Sequence, residues 1–352
     1  MKKLQHKLHK TDAYLITDPA NIRYLANFSG TNGTLLLTRK KIFFFTDPRY
    51  TRVAKKVLPR GVELLIASPF SEELTKLLKK LKVRTLWFEA HDVSFQKHKI
   101  LKKIFPHLKP GLHFVEQYRM IKTQEELQLI IRSQRINERT FRQVVKALKT
   151  GKTEKQVAWE IEKTGRELGA DGISFEPIVG FGVSSGSPHH MNTNRKLRKG
   201  DMVLLDMGME YRGYCSDMTR TMFTAKPTRL QEKIYNTVLE AQEAAIKKLK
   251  AGMKGSAADK ISRDIITKAG YGPQFGHSLG HGIGLEVHEL PNLSTIYTKP
   301  LPLNTVVTVE PGIYLENSFG VRIEDMVIIR RNKAENITKI PKKIPNLILS
   351  VS

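Results

Sequence analysis

The sequence predicts two domains of different class: an α/β domain with a mixed sheet over residues 1–120 and an α+β domain over residues 121–352. Three observations predict this. At 352 residues the chain is too long for one ordinary core and suits two of roughly 150 residues each. The first third alternates short apolar runs with Lys-rich helical runs. The remainder opens on two long amphipathic helices and continues mainly as hairpins.

Taken in order, DAYLIT, TLLLT, KIFFFT, VELLIA and TLWFEA read as strands, with a Lys-rich turn joining the second to the third. RYTRVAKKV, SEELTKLLKKLK and KHKILKKIF read as helices with solvated basic faces. Pro106 and Pro110 then precede a boundary near residues 118–122. A long helix is expected from about Gln124 to Lys149, because Thr123 can cap it, Glu125 and Glu126 fall in its first turn and Gly151 follows its end. TEKQVAWEIEKTGRELG makes a second helix, and two more are expected near 228–250 and 256–269, among hairpins.

Composition excludes several function classes. The 40% apolar share excludes a disordered or collagen-like chain. No window approaches the roughly 18 to 20 apolar residues that cross a bilayer, so no membrane role is expected. The basic N-terminus lacks the apolar run of a secretory signal, and the single Cys215 provides no disulfide framework, so a cytoplasmic location is expected. The net charge of +25 would attract polyanions, yet the basic runs are scattered and carry no nucleic-acid motif; the expectation is solvated helix faces rather than nucleic-acid binding.

The chemistry lies in the second domain. In MVLLDMGMEYRGYCSDMTRTMF, residues 202–223, two apolar strands flank a turn, and pairing about a centre at 211.5 sets Asp206 opposite Asp217. In TVVTVEPGIYLENSFGVRIEDMVII, residues 305–329, pairing about Asn317 sets Glu310 opposite Glu324. Opposed carboxylates within apolar ribbons are unfavourable unless a cation lies between them. Between the hairpins, GHSLGHGIGLEVHELP carries His277, His281 and His288 among Gly276, Gly280, Gly282 and Gly284, whose bare backbones permit close approach. Four carboxylates and an imidazole form an oxygen-rich set suited to two divalent ions such as Mn, Co or Zn, whose charge brings the cluster near neutrality.

LLDMG…SDMTRT, HSLGHGIGLEVHE, TVEPGIY and VRIED resemble, in order and spacing, the dinuclear metallopeptidases of the pita-bread fold, in their Xaa-Pro aminopeptidase and Xaa-Pro dipeptidase (prolidase) branch. DPANIRYLANFSGTNG and TDPRY resemble that branch's N-terminal domain, so the resemblance spans nearly the whole chain. It implies a creatinase-like α/β N-terminal domain followed by an α+β pita-bread catalytic domain. It further implies that Asp206 chelates one ion, that His281 and Glu310 hold the other, and that Asp217 and Glu324 bridge them. All five positions are intact, which implies catalysis with two divalent ions per subunit, Mn first and Co or Zn as alternatives. The implied reaction is attack on the Xaa-Pro bond by a hydroxide shared between the ions. Glu310 accepts the water's proton, and His189 and His288 contact substrate and the oxyanion.

His277 and Arg322 are placed at the substrate, although Arg322 could instead pair with the carboxylates. His190 is expected beside His189, Cys215 in packing, and Tyr214 and Phe181 either around a proline pocket or in the core. Dipeptidases of the branch commonly carry Arg shortly after VHE, where this chain reads Asn292. An amide supplies no charge to a dipeptide's carboxylate, which favours an aminopeptidase on peptides with proline second, with the dipeptidase as its nearest rival. Methionine aminopeptidase and a noncatalytic nucleic-acid-binding scaffold on the same fold are more distant readings. The resemblance also implies a homodimer.

Overall fold

The computed structural model describes residues 1–67 and 69–351. Two compact units are found, Met1–Arg119 and Met120–Ser352.

The first unit contains α1 (Lys2–Lys7), β1 (Asp12–Ile16), α2 (Pro19–Ala26), β2 (Thr34–Thr38), β3 (Ile42–Thr46), α3 (Thr51–Val57) and β4 (Val62–Ile66). It continues with α4 (Phe70–Lys80), β5 (Thr85–Glu89), α5 (Phe95–Ile104), β6 (Leu108–Gly111) and α6 (Glu116–Arg119). Its six-stranded sheet has the order β4-β3-β2-β1-β5-β6, and only β2 runs against the rest. The two-residue side-chain period divides the strands between two cores: Tyr14, Ile16, Leu35 and Phe44 face one way, and Leu15, Leu36, Phe43 and Phe45 the other. Both sheet faces are therefore buried, which is why IFFFT is apolar throughout.

The second unit begins with α7 (Gln124–Lys146) and α8 (Glu154–Glu167). Thr123 and Glu126 satisfy each other's backbone donors in a capping box at the start of α7, as do Thr153 and Gln156 at α8. The expected C-terminus at Lys149 falls three residues late, and the left-handed turn comes at Gly151. Strands β7 (Gly172–Ile173), β8 (Ile178–Phe181), β9 (Met202–Met207), β10 (Met209–Tyr211), β11 (Tyr214–Cys215) and β12 (Met218–Phe223) follow. Next come α9 (Arg229–Lys248), α10 (Gly255–Lys268), β13 (Gly280–Gly282) and β14 (Glu289–Leu293). The last strands are β15 (Val306–Val309), β16 (Gly312–Leu315), β17 (Phe319–Arg322), β18 (Asp325–Ile329) and β19 (Ala334–Asn336). β8-β9-β12 and β14-β13-β15-β18-β19 are the sheets that carry the site. Among the described residues, no helix is long and apolar enough to cross a membrane.

The first hairpin departs from its expected register. β9 and β12 pair with Asp206 opposite Thr219, and Tyr211 faces Tyr214 across the turn, so the pairing centre is 212.5 rather than 211.5. The cause is the two-residue turn Arg212–Gly213, both residues having positive φ (48° and 81°), a geometry that matches the right-handed twist of the strands. Each strand moves by one residue, so parity is conserved and Asp206 and Asp217 remain on one face as diagonal neighbours. The second hairpin keeps its expected register. Val309 faces Asp325 and Gly312 faces Arg322, which sets Glu310 across from Glu324 in the break between β15 and β16.

Candidate metal centre

Two hairpins and a glycine-rich strand bring the acidic groups together because their inward positions recur at every second residue. Asp217 and Glu324 are buried, at 4% and 1% exposed, and each offers an atom within 4.8 Å of an imidazole nitrogen of His281 and of the other. His281 Nε2 lies 3.3 Å from Glu310 Oε1 and 3.7 Å from Asp217 Oδ2. β13 can carry His281 this close because a side chain at Gly280 would run into the Thr308 carbonyl, and one at Gly282 into that of Leu290. Gly276 has open space where a side chain would begin, so its expected close approach is absent.

Asp206 is held by Arg322, whose Nη2 donates to Asp206 Oδ2 at 2.6 Å. The other Arg322 nitrogens are committed as well: Nε donates to Thr219 Oγ1 at 3.0 Å and Nη1 to the Tyr314 hydroxyl at 2.7 Å. Of the two alternatives for Arg322, pairing with the carboxylates is thus the geometry present. Thr219 passes its own hydroxyl hydrogen to Glu324 Oε2 at 2.8 Å. Beneath, the fully buried Arg220 donates to Asp325 Oδ1 and to the Glu324 carbonyl, fixing the backbone under the site.

The electrostatics follow from crowding. Burial, then the charges of Glu324, Asp206 and Glu310, push Asp217 well above the usual carboxylate range. Burial, then Glu310 and Asp206, do the same to Glu324. Burial also opposes ionisation of Glu310, but the His281 hydrogen bond and charge win and bring it down to about 2. His281 rises correspondingly, against the effect of burial.

Asp206 Oδ1 and Asp217 Oδ1 are buried with no hydrogen-bond partner, an arrangement that costs about 1–3 kcal/mol per group unless something positive takes the lone pairs. Carboxylate oxygens plus one imidazole, with orphaned lone pairs turned inward, fit hard or borderline divalent ions.

The remaining candidates surround this cluster. His288 is exposed, with its ring 4.2 Å from that of His281 and edge-on to it. Desolvation, then the charge at His281, lowers its proton affinity. His277 is half-buried, shares a hydrogen bond of 3.0 Å with the Tyr314 hydroxyl, and is lowered mainly by burial. His189 is exposed on the loop after β8, and His190 behind it is tied to the buried Glu154 at 2.8 Å. Phe181 is fully buried in the core and so lines no proline pocket. Tyr214 turns its hydroxyl to Glu126 at 3.0 Å, and Cys215 packs in a core cluster. Asn292 is exposed on β14.

Three partners escaped the sequence reading. Thr219 links Arg322 to Glu324, Thr308 receives the His281 N–H and donates to Glu310, and Tyr314 joins Arg322 to His277. Alternation marks each of them, since Thr219 is two residues from Asp217, Thr308 two from Glu310 and Tyr314 four from Glu310.

Residues 128–331 match the model of metallopeptidase family M24, and residues 1–121 match the creatinase/prolidase N-terminal domain. The chain belongs to metallopeptidase family M24. It is therefore a metal-dependent hydrolase with a creatinase-like N-terminal domain and a pita-bread catalytic domain, as the motifs implied. This M24 peptidase is 39% identical to a solved Xaa-Pro dipeptidase from Bacillus anthracis, with a TM-score of 0.92 over 95% of this chain and 94% of that one. It is 37% identical to the X-Pro aminopeptidase from Thermotoga maritima, with a TM-score of 0.88 over 97% and 99%. An Xaa-Pro dipeptidase from Pyrococcus horikoshii is 32% identical over 95% of this chain and 94% of its own length.

Proposed function

We propose that this M24 peptidase, with residues 1–120 and 121–352 as its domains, is a cytoplasmic, homodimeric Xaa-Pro aminopeptidase acting on peptides with proline second. The supporting observation is the buried convergence of Asp206, Asp217, His281, Glu310 and Glu324, with carboxylate oxygens left unpaired, beside three further histidines. These five residues would hold two divalent ions, with Mn the first expectation and Co or Zn the alternatives. Such ions lower the pKa of a bound water and polarise the scissile carbonyl.

The chain's own residues do the rest. Glu310, kept ionised by His281, is placed to take the proton of the attacking water at a carboxylate oxygen and to return it to the leaving proline nitrogen, which carries no hydrogen of its own as an amide. His288, held neutral by its surroundings, presents an N–H to the developing oxyanion, with His189 on the opposing loop. Arg322 holds Asp206 in place through its Nη2 hydrogen bond, while His277 and Tyr314 border the substrate side.

Asn292 in place of a cation after VHE favours longer peptides, whereas the similarity to proteins named Xaa-Pro dipeptidase favours the rival reading. Steady-state kinetics on Ala-Pro and on Arg-Pro-Pro, each with added Mn, separate the two. Higher kcat/KM on the tripeptide is expected, and cleavage of the dipeptide alone would reverse the assignment. Elemental analysis of protein purified without added ions tests the stoichiometry of two.

A further inference from the structure

The first unit has a ligand crevice of its own. Parallel strands β1 and β5 are neighbours, but the chain leaves β1 through α2 towards β2 on one side and leaves β5 through α5 towards β6 on the other. Where connections diverge in this way, the carboxyl ends of the two strands leave a crevice between them, the place where open α/β sheets take their ligands. A cavity of about 390 Å³ opens beside this point, between the end of β1, the start of β2, the end of β3 and α5 with the segment leading into it, at the small end of the range for small-molecule sites.

Its walls are preorganised. Glu89 at the end of β5 accepts the N–H groups of Thr17 and Asp18 beyond β1, both at 2.7 Å, and Thr17 Oγ1 donates to Asp92 Oδ2 at 2.5 Å. The segments that carry Thr17 and Asp92 into the lining are thus fixed to each other before any ligand arrives.

The lining chemistry is specific. Leu15, Phe45 and Leu101 supply apolar walls, Asp92 and Lys97 are the charged groups of opposite sign, and Thr34 adds a hydroxyl. Among the described residues the Lys97 ammonium has no carboxylate partner and Asp92 Oδ1 has no donor, so one cation and one anion line the same cavity unpaired with each other. We propose that this crevice binds a small zwitterion with an apolar side group, a free amino acid of the leucine type. Its ammonium meets Asp92, its carboxylate meets Lys97 and its side chain lies against Leu15 and Leu101. Loss of either charge leaves the opposite charge of the ligand unmatched.

Saturation-transfer NMR of the full-length, metal-loaded protein with L-leucine tests this. Binding is expected in wild type and also in Asp217→Asn, which disables the metal centre. It should weaken at least about tenfold in Lys97→Met and in Asp92→Asn, the latter keeping an acceptor oxygen for Thr17. Lys97 is exposed, so its substitution leaves folding intact, and unchanged thermal melting checks both variants. 4-Methylpentanoate, which lacks the ammonium, should lose no affinity in Asp92→Asn and should gain some, since the like charge is gone. Three results would overturn the proposal: no transfer to leucine in the millimolar range, loss of transfer in Asp217→Asn, or affinity indifferent to both charge variants.

Discussion

The two hairpins that supply the carboxylates, residues 202–223 and 305–329, follow one plan and differ in how the turn sets it. In the second, the three residues Glu316–Ser318 with Asn317 at φ 59° keep the pairing centre on Asn317, so Glu310 meets Glu324 across the ribbon. In the first, the two-residue turn at Arg212–Gly213 moves the centre, and Asp206 meets Thr219 while Asp217 lies on the diagonal. The difference teaches that a metal centre of this kind depends on the parity of the register rather than on direct opposition. A shift of one residue in both strands keeps both carboxylates on the same face, whereas a shift in one strand alone would turn one of them away.

The most direct way to break the comparison is to remove one carboxylate from each ribbon. Asp217→Asn and Glu324→Gln should each lower kcat/KM on Arg-Pro-Pro on the order of a thousandfold, with loss of bound metal measured by elemental analysis. Should one ribbon's substitution leave rate and metal content intact, the equivalence of the hairpins fails.

The next largest effect concerns the residue that bridges the ribbons. Arg322→Met removes the buried partner of Asp206 and should destabilise the metal-free protein by about 3–5 kcal/mol, read from denaturant melts. Adding Asp206→Asn to the same protein should recover much of that loss, since no orphaned charge then remains.

A pH series sharpens the point further. Asp217 and Glu324 have folded pKa values above their unfolded ones, so the native state holds more protons and stability falls as pH rises. His281, also raised, acts in the same direction, His277 and His288, both lowered, act against it, and Glu310 at about 2 contributes a loss only under strong acid; the two carboxylates held well above their usual range set the sign. The metal-free protein should therefore melt higher at pH 5.5 than at pH 7.5. Saturating metal should reverse the slope, because ligation requires the deprotonated forms.

The smallest effects come from the turns. Gly213→Ala, at φ 81°, should cost about 1–2 kcal/mol, and Arg212→Asn, at φ 48°, should gain a few tenths, about 0.5 kcal/mol, in thermal melts.

Much of this was legible in the sequence because apolar alternation and capping are local. Five of the six strands of the first unit, the Thr123 cap of α7 and the face shared by Asp206 and Asp217 all follow from residue types at fixed spacing, whereas Pro110 hides β6. The exact pairing of the first hairpin did not, because MEYRG permits more than one turn and only the backbone angles of Arg212 and Gly213 select between them. Nor could spacing reveal that Arg322 spends its donors on Asp206, Thr219 and Tyr314, since the first two lie on the other hairpin and only the fold brings it beside Arg322. The Lys97–Asp92 crevice escaped for a similar reason: sheet order, not sequence order, places β1 beside β5.

One buried carboxylate gathers four of the hydrogen bonds that fasten the loop carrying His189, beside those made by Asn192 to β8. Glu154, at the start of α8, receives the N–H and hydroxyl of Thr193, the His190 ring and the Phe181 N–H. Burial opposes its charge, yet those donors keep its pKa below the ordinary value, so the fastening holds near neutrality and fails as pH falls through that depressed pKa. Acid would then act as a partial latch release, loosening the loop at Thr193 and His190 while Asn192 still ties it to β8.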